Sequence, residues 1–135
     1  MSKGVLVDAN VLLDVFTSDE RWFSWSSEAL ARAADDGPLA INPLIYAEAS
    51  ARFSRIEELD AALPTSAFRR DPLPWPAAFL AGRCFLEYRR RGGQRRSPLP
   101  DFYIGAHAAV RGMCLLTRDP RRYRTYLPSL ELLAP

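Results

Sequence analysis

Lysine and histidine are nearly missing from this chain of 135 residues. Of 18 basic residues, 17 are arginine; the one lysine is Lys3 and the one histidine is His107. A lone lysine ahead of the first apolar segment leaves a receiver-type phosphoryl-transfer domain without the lysine its acidic pocket requires. A lone histidine, with no Gly-x-Ser-x-Gly or P-loop pattern, argues against a serine hydrolase and a nucleoside triphosphatase. Cysteine is scarce as well. Cys84 and Cys114 lack the spacing of a zinc site and lie in apolar surroundings, so they read as buried free thiols. No apolar run approaches the ~20 residues of a membrane span. The Val5-Leu6-Val7 run starts too early to leave room for a signal peptide, and the expected location is the cytoplasm.

What is present describes one globular domain over residues 1–135, with 48% hydrophobic and 25% charged residues. A chain of this size buries roughly two-thirds of its unfolded surface and needs no staples. The net charge is only +2, yet six arginines fall between Arg83 and Arg96 and four between Arg118 and Arg124. The planar fork of arginine suits phosphate.

Short apolar strands are expected at 4–7, 39–41, 113–116 and 130–133. Between them the patterning predicts helices over 9–16, 20–34 and 43–53, then one opened by a Ser54/Glu57 capping box, and two more over 75–90 and 100–111. Asp8 and Asn42 stand at N-cap positions, the latter followed by Pro43. Residues 65–74 show no strong period. Trp22, Trp25, Ala29 and Ala33 share one helical face, and Trp75, Phe79, Gly82 and Leu86 another. Strands without polar alternation, alternating with helices, indicate an α/β fold with a parallel sheet covered on both faces. In such sheets ligands bind beyond the carboxyl ends of the strands.

Four acids interrupt segments that otherwise read as core: Asp8, Glu48, Asp101 and Asp119. Each has a plain structural explanation. Asp8 can cap a helix, and Glu48 can pair with Arg52 one turn on. Asp101 can complement a helix dipole, and Asp119 can open an Asp-Pro turn. Taken together they are better explained as a cluster at one sheet edge, which would repel itself without a divalent cation. Oxygen-only ligands suit Mg²⁺ or Mn²⁺. Asn10 can orient Asp8 or hold a water, and Thr117 can position a water or a phosphate oxygen. Gly105 and Ala108 lie on the face of Asp101 and leave space beside it. His107 points away from Asp101 and is assigned to packing or an interface.

The segments VDANVLLD (7–14), INPLIYAEAS (41–50), SPLPDFYIGAHA (97–108) and LLTRDPRRY (115–123) resemble, in order and spacing, the motifs of PIN-domain ribonucleases. The closest likeness is to VapC-type toxins of type II toxin–antitoxin pairs. This resemblance implies a three-layer α/β/α fold and a toxic Mg²⁺-dependent endoribonuclease, with Mn²⁺ able to substitute. It implies cleavage leaving 5′-phosphate and 3′-hydroxyl ends. It places Asp8, Glu48, Asp101 and Asp119 as the acidic metal-binding quartet, with Asn10 and Thr117 as polar helpers. Asp8 and Asp101 are the firmest ligands, and Asp119 occupies the family's most variable acidic position. A homodimer held inactive by a separate antitoxin chain is also implied. Arg89, Arg90, Arg91, Arg95, Arg96, Arg118, Arg121 and Arg122 would then meet RNA phosphates or the antitoxin. Trp22, Phe23 and Trp25 read as core; exposed, they would form a groove for an antitoxin helix. The alternative is a non-catalytic RNA-binding or regulatory protein with a PIN-like fold.

Overall fold

The computed structural model describes residues 4–135; Lys3 lies outside them. Five strands alternate with seven helices in these residues. They run β1 (Val5–Val7), α1 (Ala9–Phe16), α2 (Phe23–Asp36), β2 (Leu39–Ile41), α3 (Pro43–Ser50) and α4 (Ile56–Ala62). They continue with β3 (Phe68–Arg70), α5 (Trp75–Arg90), α6 (Pro100–Arg111), β4 (Cys114–Leu116), α7 (Arg121–Tyr126) and β5 (Leu132–Leu133). The strands form one sheet in the order β3-β2-β1-β4-β5, and all four pairings are parallel. This is the parallel sheet expected from the patterning, in the three-layer α/β/α arrangement that the resemblance implied.

The central strands are apolar on both faces because helices cover both. Leu6, Val7, Ala40, Leu115 and Leu116 are fully buried, each larger side chain contributing about 1.5–3 kcal/mol. The main core joins the sheet to α1 and α3; a second cluster of Ala77, Ala81, Cys84, Phe102, Ala106 and Leu127 fills the space between α5 and α6. Cys84 and Cys114 are free thiols, as read, but only Cys84 is buried; Cys114 is partly exposed.

The start signals of α1 and α3 work as the sequence implied. Asp8 accepts from the Ala9 N–H at 2.8 Å, and Asn42 Oδ1 accepts from the Ile45 N–H at 2.9 Å ahead of Pro43. The Ser54/Glu57 capping box does not form. Arg55 is the N-cap of α4 and no side chain caps it; instead Arg55 approaches Glu57 at 3.4 Å. Helix α3 ends at Ser50, and α2 starts at Phe23 with Trp22 as its cap. Trp25 packs against the core, whereas Phe23 is exposed.

Two elements escaped the patterning. Strand β3 carries Arg69 and Arg70 on the sheet's edge, so only Phe68 is buried. Helix α7 has only six residues, four of them polar. The faces of α5 are also the reverse of what residue size suggests. Its small side, Ala77, Ala81 and Cys84, packs inward, while Trp75, Phe79 and Leu86 face out.

Candidate active site

Strand β1 lies between β2 and β4 in the sheet. The chain leaves β1 toward β2 and β3, then returns to its other side for β4 and β5. That reversal opens a crevice at the carboxyl ends of β1 and β4, where open α/β sheets bind ligands. Asp8 follows β1 and Thr117 follows β4. The Asp8 N–H bonds the Leu116 carbonyl at 2.9 Å and knits the two strand ends together.

Asp8 is buried and held at both oxygens. Its Oδ1 accepts from the Ala9 N–H, and its Oδ2 accepts from Thr117 Oγ1 at 3.0 Å and the Tyr123 hydroxyl at 2.8 Å. Every donor is neutral. Burial pushes the Asp8 carboxyl up to about 6; the charge of Asp101 adds to the rise, and the Tyr123 and Thr117 hydroxyls oppose it. Tyr123 itself is held well above the ordinary tyrosine range by burial and then by Asp8, so it stays a donor.

Glu48, on α3, is half-buried. Its Oε1 has no hydrogen-bond partner, and Arg52 is exposed rather than drawn onto it. Burial pushes Glu48 up to about 7, with Asp8 and then Asp101 pushing the same way. Asp8, Glu48 and Asp101 therefore feel one another's charge across the crevice. Asp101 sits in the first turn of α6, partly exposed, with Arg122 Nη1 at 3.0 Å from its Oδ2. Asp119 stands further out. It is exposed, lies 3.5 Å from Arg121 Nε, and shares a cleft of about 300 Å³ with Asp101, Arg122 and Tyr126.

The two polar helpers are committed to structure. Thr117 Oγ1 donates to Asp8 and accepts from Asn10 Nδ2 at 3.1 Å and the Asp119 N–H at 3.2 Å. That leaves no capacity for a water or a phosphate oxygen. Asn10 Oδ1 accepts from the Arg118 N–H at 3.2 Å, so Asn10 orients Asp8 through Thr117. Gly105 does not leave space beside Asp101. A side chain there would meet Leu127 and the Tyr123 ring, so glycine is what lets Tyr123 come close enough to reach Asp8. His107 is fully buried, and its Nδ1 lies 3.0 Å from Asn42 Nδ2. It packs behind the site, and burial lowers its pKa.

Of the eight arginines read as contacts for RNA or a partner, Arg118 turns inward instead. Its Nε lies 2.7 Å from Oδ2 of buried Asp14, which also accepts from Ser26 Oγ at 2.7 Å. Arg122 holds Asp101, while Arg90 and Arg91 approach Glu87. Arg95 and Arg96 are exposed in the loop leading to α6. Arg91 lies over the Tyr126 ring, 5.5 Å from its centroid, and so borders the cleft of Asp101 and Asp119. Tyr123 and Asp14 were not singled out from the sequence. The available signals were a tyrosine amid arginines in RRYRTY and an acid between Leu13 and Val15.

The donor set fits a hard divalent cation in type and charge. It offers carboxylate oxygens only, two of the acids are held far above their ordinary range, and Glu48 Oε1 is buried and orphaned. As placed, no three such side chains among the described residues close into a coordination cage.

The model of the PIN domain family matches residues 5–127. Among solved structures, the chain is similar to VapBC2 from Rickettsia felis bound to a promoter DNA fragment, with a TM-score of 0.70 and 18% identity over 97% of this chain and 98% of that one. It is similar to VapBC-1 from nontypeable Haemophilus influenzae, with a TM-score of 0.72 and 14% identity over 96% of each chain. A toxin–antitoxin complex from Klebsiella pneumoniae gives a TM-score of 0.66 and 23% identity over 96% of each chain. No curated protein sequence matches the chain.

Proposed function

Because the chain belongs to the PIN domain family, we propose that it is a VapC-like toxin: a Mg²⁺- or Mn²⁺-dependent endoribonuclease restrained by an antitoxin chain. The observation that carries this reading is the trio Asp8, Glu48 and Asp101. Asp8 and Glu48 are pushed up to about 6 and about 7 and receive no cationic partner among the described residues. Removing charge repulsion there requires protons or a metal, and at neutral pH a metal is the stronger candidate.

Asp8, Glu48 and Asp101 would hold the ion, with Asp119 at the outer edge of the site. When bound, a divalent cation neutralises phosphate charge and makes water more acidic. The chain's own contribution is orientation. Thr117 and Tyr123 both bond Oδ2 of Asp8, which leaves Oδ1, with its single backbone donor, the freer oxygen. Asn10 fixes Thr117, and Gly105 admits Tyr123. Arg91, over the Tyr126 ring, borders the outer cleft, and Arg95 and Arg96 are exposed in the loop before α6; all three suit the backbone of a single-stranded or looped RNA. The resemblance to toxin–antitoxin complexes along nearly the whole chain supports an antitoxin partner; the homodimer and the cytoplasmic setting belong to the same proposed reading. In the described residues no helix is long and apolar enough to cross a membrane.

The test is end-labelled RNA incubated with purified protein and Mn²⁺, against EDTA and against Asp8→Asn. Metal-dependent fragments with 5′-phosphate ends, absent from the variant, are expected. Binding of RNA without cleavage would favour the non-catalytic alternative.

A further inference from the structure

The basic loop after α5 is a built turn. Gly92 takes a positive φ of 93°, and Gly93 lies so close to the Tyr88 ring that a Cβ would collide with it. The Tyr88 hydroxyl accepts from the Arg95 N–H at 3.4 Å, and Arg89 Nη1 donates to the Arg95 carbonyl at 3.0 Å. Just before this turn, Arg91 is held at one edge by Glu87, whose Oε1 lies 3.1 Å from its Nε. Its guanidinium lies over the Tyr126 ring, 5.5 Å from the centroid, yet its side chain stays 55% exposed. Tyr126 is braced in turn by steeply inclined contacts with Phe102 at 5.2 Å and Tyr88 at 6.3 Å. An aromatic ring and a guanidinium are thereby fixed on the rim of the outer cleft, which Tyr126 itself lines together with Asp101 and Asp119. An exposed cation–π contact adds little to stability, so the fold alone gives slight reason for this arrangement.

We propose that Tyr126, with Arg91, is a stacking platform for one unpaired nucleobase of the RNA, a placement that rests on the nuclease reading for the identity of its ligand. The cleft holds about 300 Å³. Its carboxylates are each met by an arginine, Asp101 by Arg122 at 3.0 Å and Asp119 by Arg121 at 3.5 Å. The cleft therefore offers one π surface beside guanidinium groups. A flat base carrying a phosphate matches both features: the base lies on Tyr126 and the phosphate reaches Arg121 or Arg122. A partner helix would match neither, because helix recognition needs a continuous apolar groove, and Tyr126 is the one aromatic residue among acids, arginines and Thr125 here.

Asp101 belongs to both the cleft and the acid trio, so the platform receives a nucleotide flanking the phosphate that reacts. A base inside a duplex has no free face to offer, and RNA recognition by stacking addresses unpaired bases. Every base has a π face. The platform thus selects unpaired over paired RNA without reading one particular base.

The test reads binding rather than cleavage. Anisotropy of a labelled single-stranded RNA is measured with the full chain in EDTA. Failure of the nuclease reading would appear separately, as no metal-dependent fragments from the parent, and does not touch this measurement. Tyr126→Leu keeps an apolar side chain against Phe102 and Tyr88 and removes the π face. It should weaken binding about 5- to 150-fold, the range of one lost base stack. Tyr126→Phe should bind within about twofold of the parent. A second arm needs no variant that must fold. Walking one abasic nucleotide along the RNA should find a position where the parent loses the same factor, and where Tyr126→Leu loses nothing more. A duplex of the same sequence should be indifferent to Tyr126→Leu. Equal binding by the parent and Tyr126→Leu, or no binding of the single strand by the parent, would overturn the proposal and leave the cleft to a protein partner. A Tyr126→Phe defect as large as that of Tyr126→Leu, or a Tyr126→Leu defect that persists at every abasic position, would overturn it too.

Discussion

Asp8 and Asp14 are both buried acids, six residues apart at the start and near the end of the same short helix, and they are equipped in opposite ways. Asp14 has a guanidinium 2.7 Å away, from Arg118, and a serine hydroxyl at the same distance. Asp8 has only neutral donors, and its charged neighbours are Asp101 and Glu48. A buried carboxylate needs compensation in either case. At Asp14 the protein brings its own cation, from the loop after β4. At Asp8 the compensation is left to protons or to an ion from solution. The same loop serves both: Thr117 braces Asp8 while Arg118 neutralises Asp14. The difference separates a structural ion pair from the proposed metal site.

The sharpest way to break the comparison is to exchange the carboxylates for amides. Asp8→Asn should lower metal-dependent RNA cleavage about 10³-fold or more, the rate equivalent of several kcal/mol of lost charge stabilisation. It should leave the metal-free thermal midpoint equal to or above that of the parent, because it removes a repelled charge. A variant that cleaves at the parental rate would remove Asp8 from the chemistry. On the other side, Arg118→Met strands Asp14 without a cation. The expected cost is about 3 kcal/mol, the low end for breaking a buried pair, since Arg118 is partly exposed. Denaturant titration reads this directly. Mn²⁺ affinity of the folded variant should hardly move.

Much of this contrast was legible in the chain and part of it was not. Asp8 could be read because it ends an unbroken apolar strand and begins a helix, and Asn42 repeats the signal after β2. Glu48 and Asp101 were legible as acids among small and apolar neighbours. Tyr123 was not, because its bond to Asp8 joins residues far apart in sequence and passes through the gap at Gly105. Arg118 was misjudged for the same reason: an arginine in a basic run looks solvated unless its distant partner, Asp14, is known. Strand β3 escaped because an edge strand with two exposed arginines carries no apolar period. On α5 the shared face of Trp75, Phe79, Gly82 and Leu86 was legible but not the direction it points: Ala77, Ala81 and Cys84 pack inward, while Trp75, Phe79 and Leu86 are exposed.

The acidity of the crevice carboxyls gives the next test. Asp8 and Glu48 have folded pKa values raised to about 6 and about 7. Below their unfolded values both states hold these protons, and the burial of the neutral acids is no burden. As pH rises through about 6 and 7 the metal-free fold must ionise them against desolvation and mutual repulsion, so this stability is lost. A divalent cation reverses the trend by favouring the ionised forms. The gap in thermal midpoint between Mn²⁺- and EDTA-treated protein should therefore widen from about pH 5 to about pH 8. With the ion at 100 times its Kd, the gain is about 2.7 kcal/mol. A gap that narrows as pH rises would contradict the proposed ligands. In Asp8→Asn the widening should be smaller.

Arg122 offers the finest test, because it makes Asp101 an intermediate case between the two buried acids. Its Nη1 lies 3.0 Å from Asp101 Oδ2, yet both side chains are partly open to solvent, unlike Asp14. An exposed pair of this kind contributes about 0.2–1 kcal/mol, so Arg122→Ala should barely change the denaturation midpoint. If Asp101 belongs to the metal site, Arg122 competes with the ion for the same carboxylate. Removing it should then tighten Mn²⁺ binding by at most about fivefold, the equivalent of that pair energy. Calorimetric titration without RNA isolates the effect from any role of Arg122 in holding phosphate. Weaker Mn²⁺ binding in the variant would mean that Arg122 positions Asp101 rather than occupying it, placing this pair with Asp14 and Arg118 rather than with Asp8.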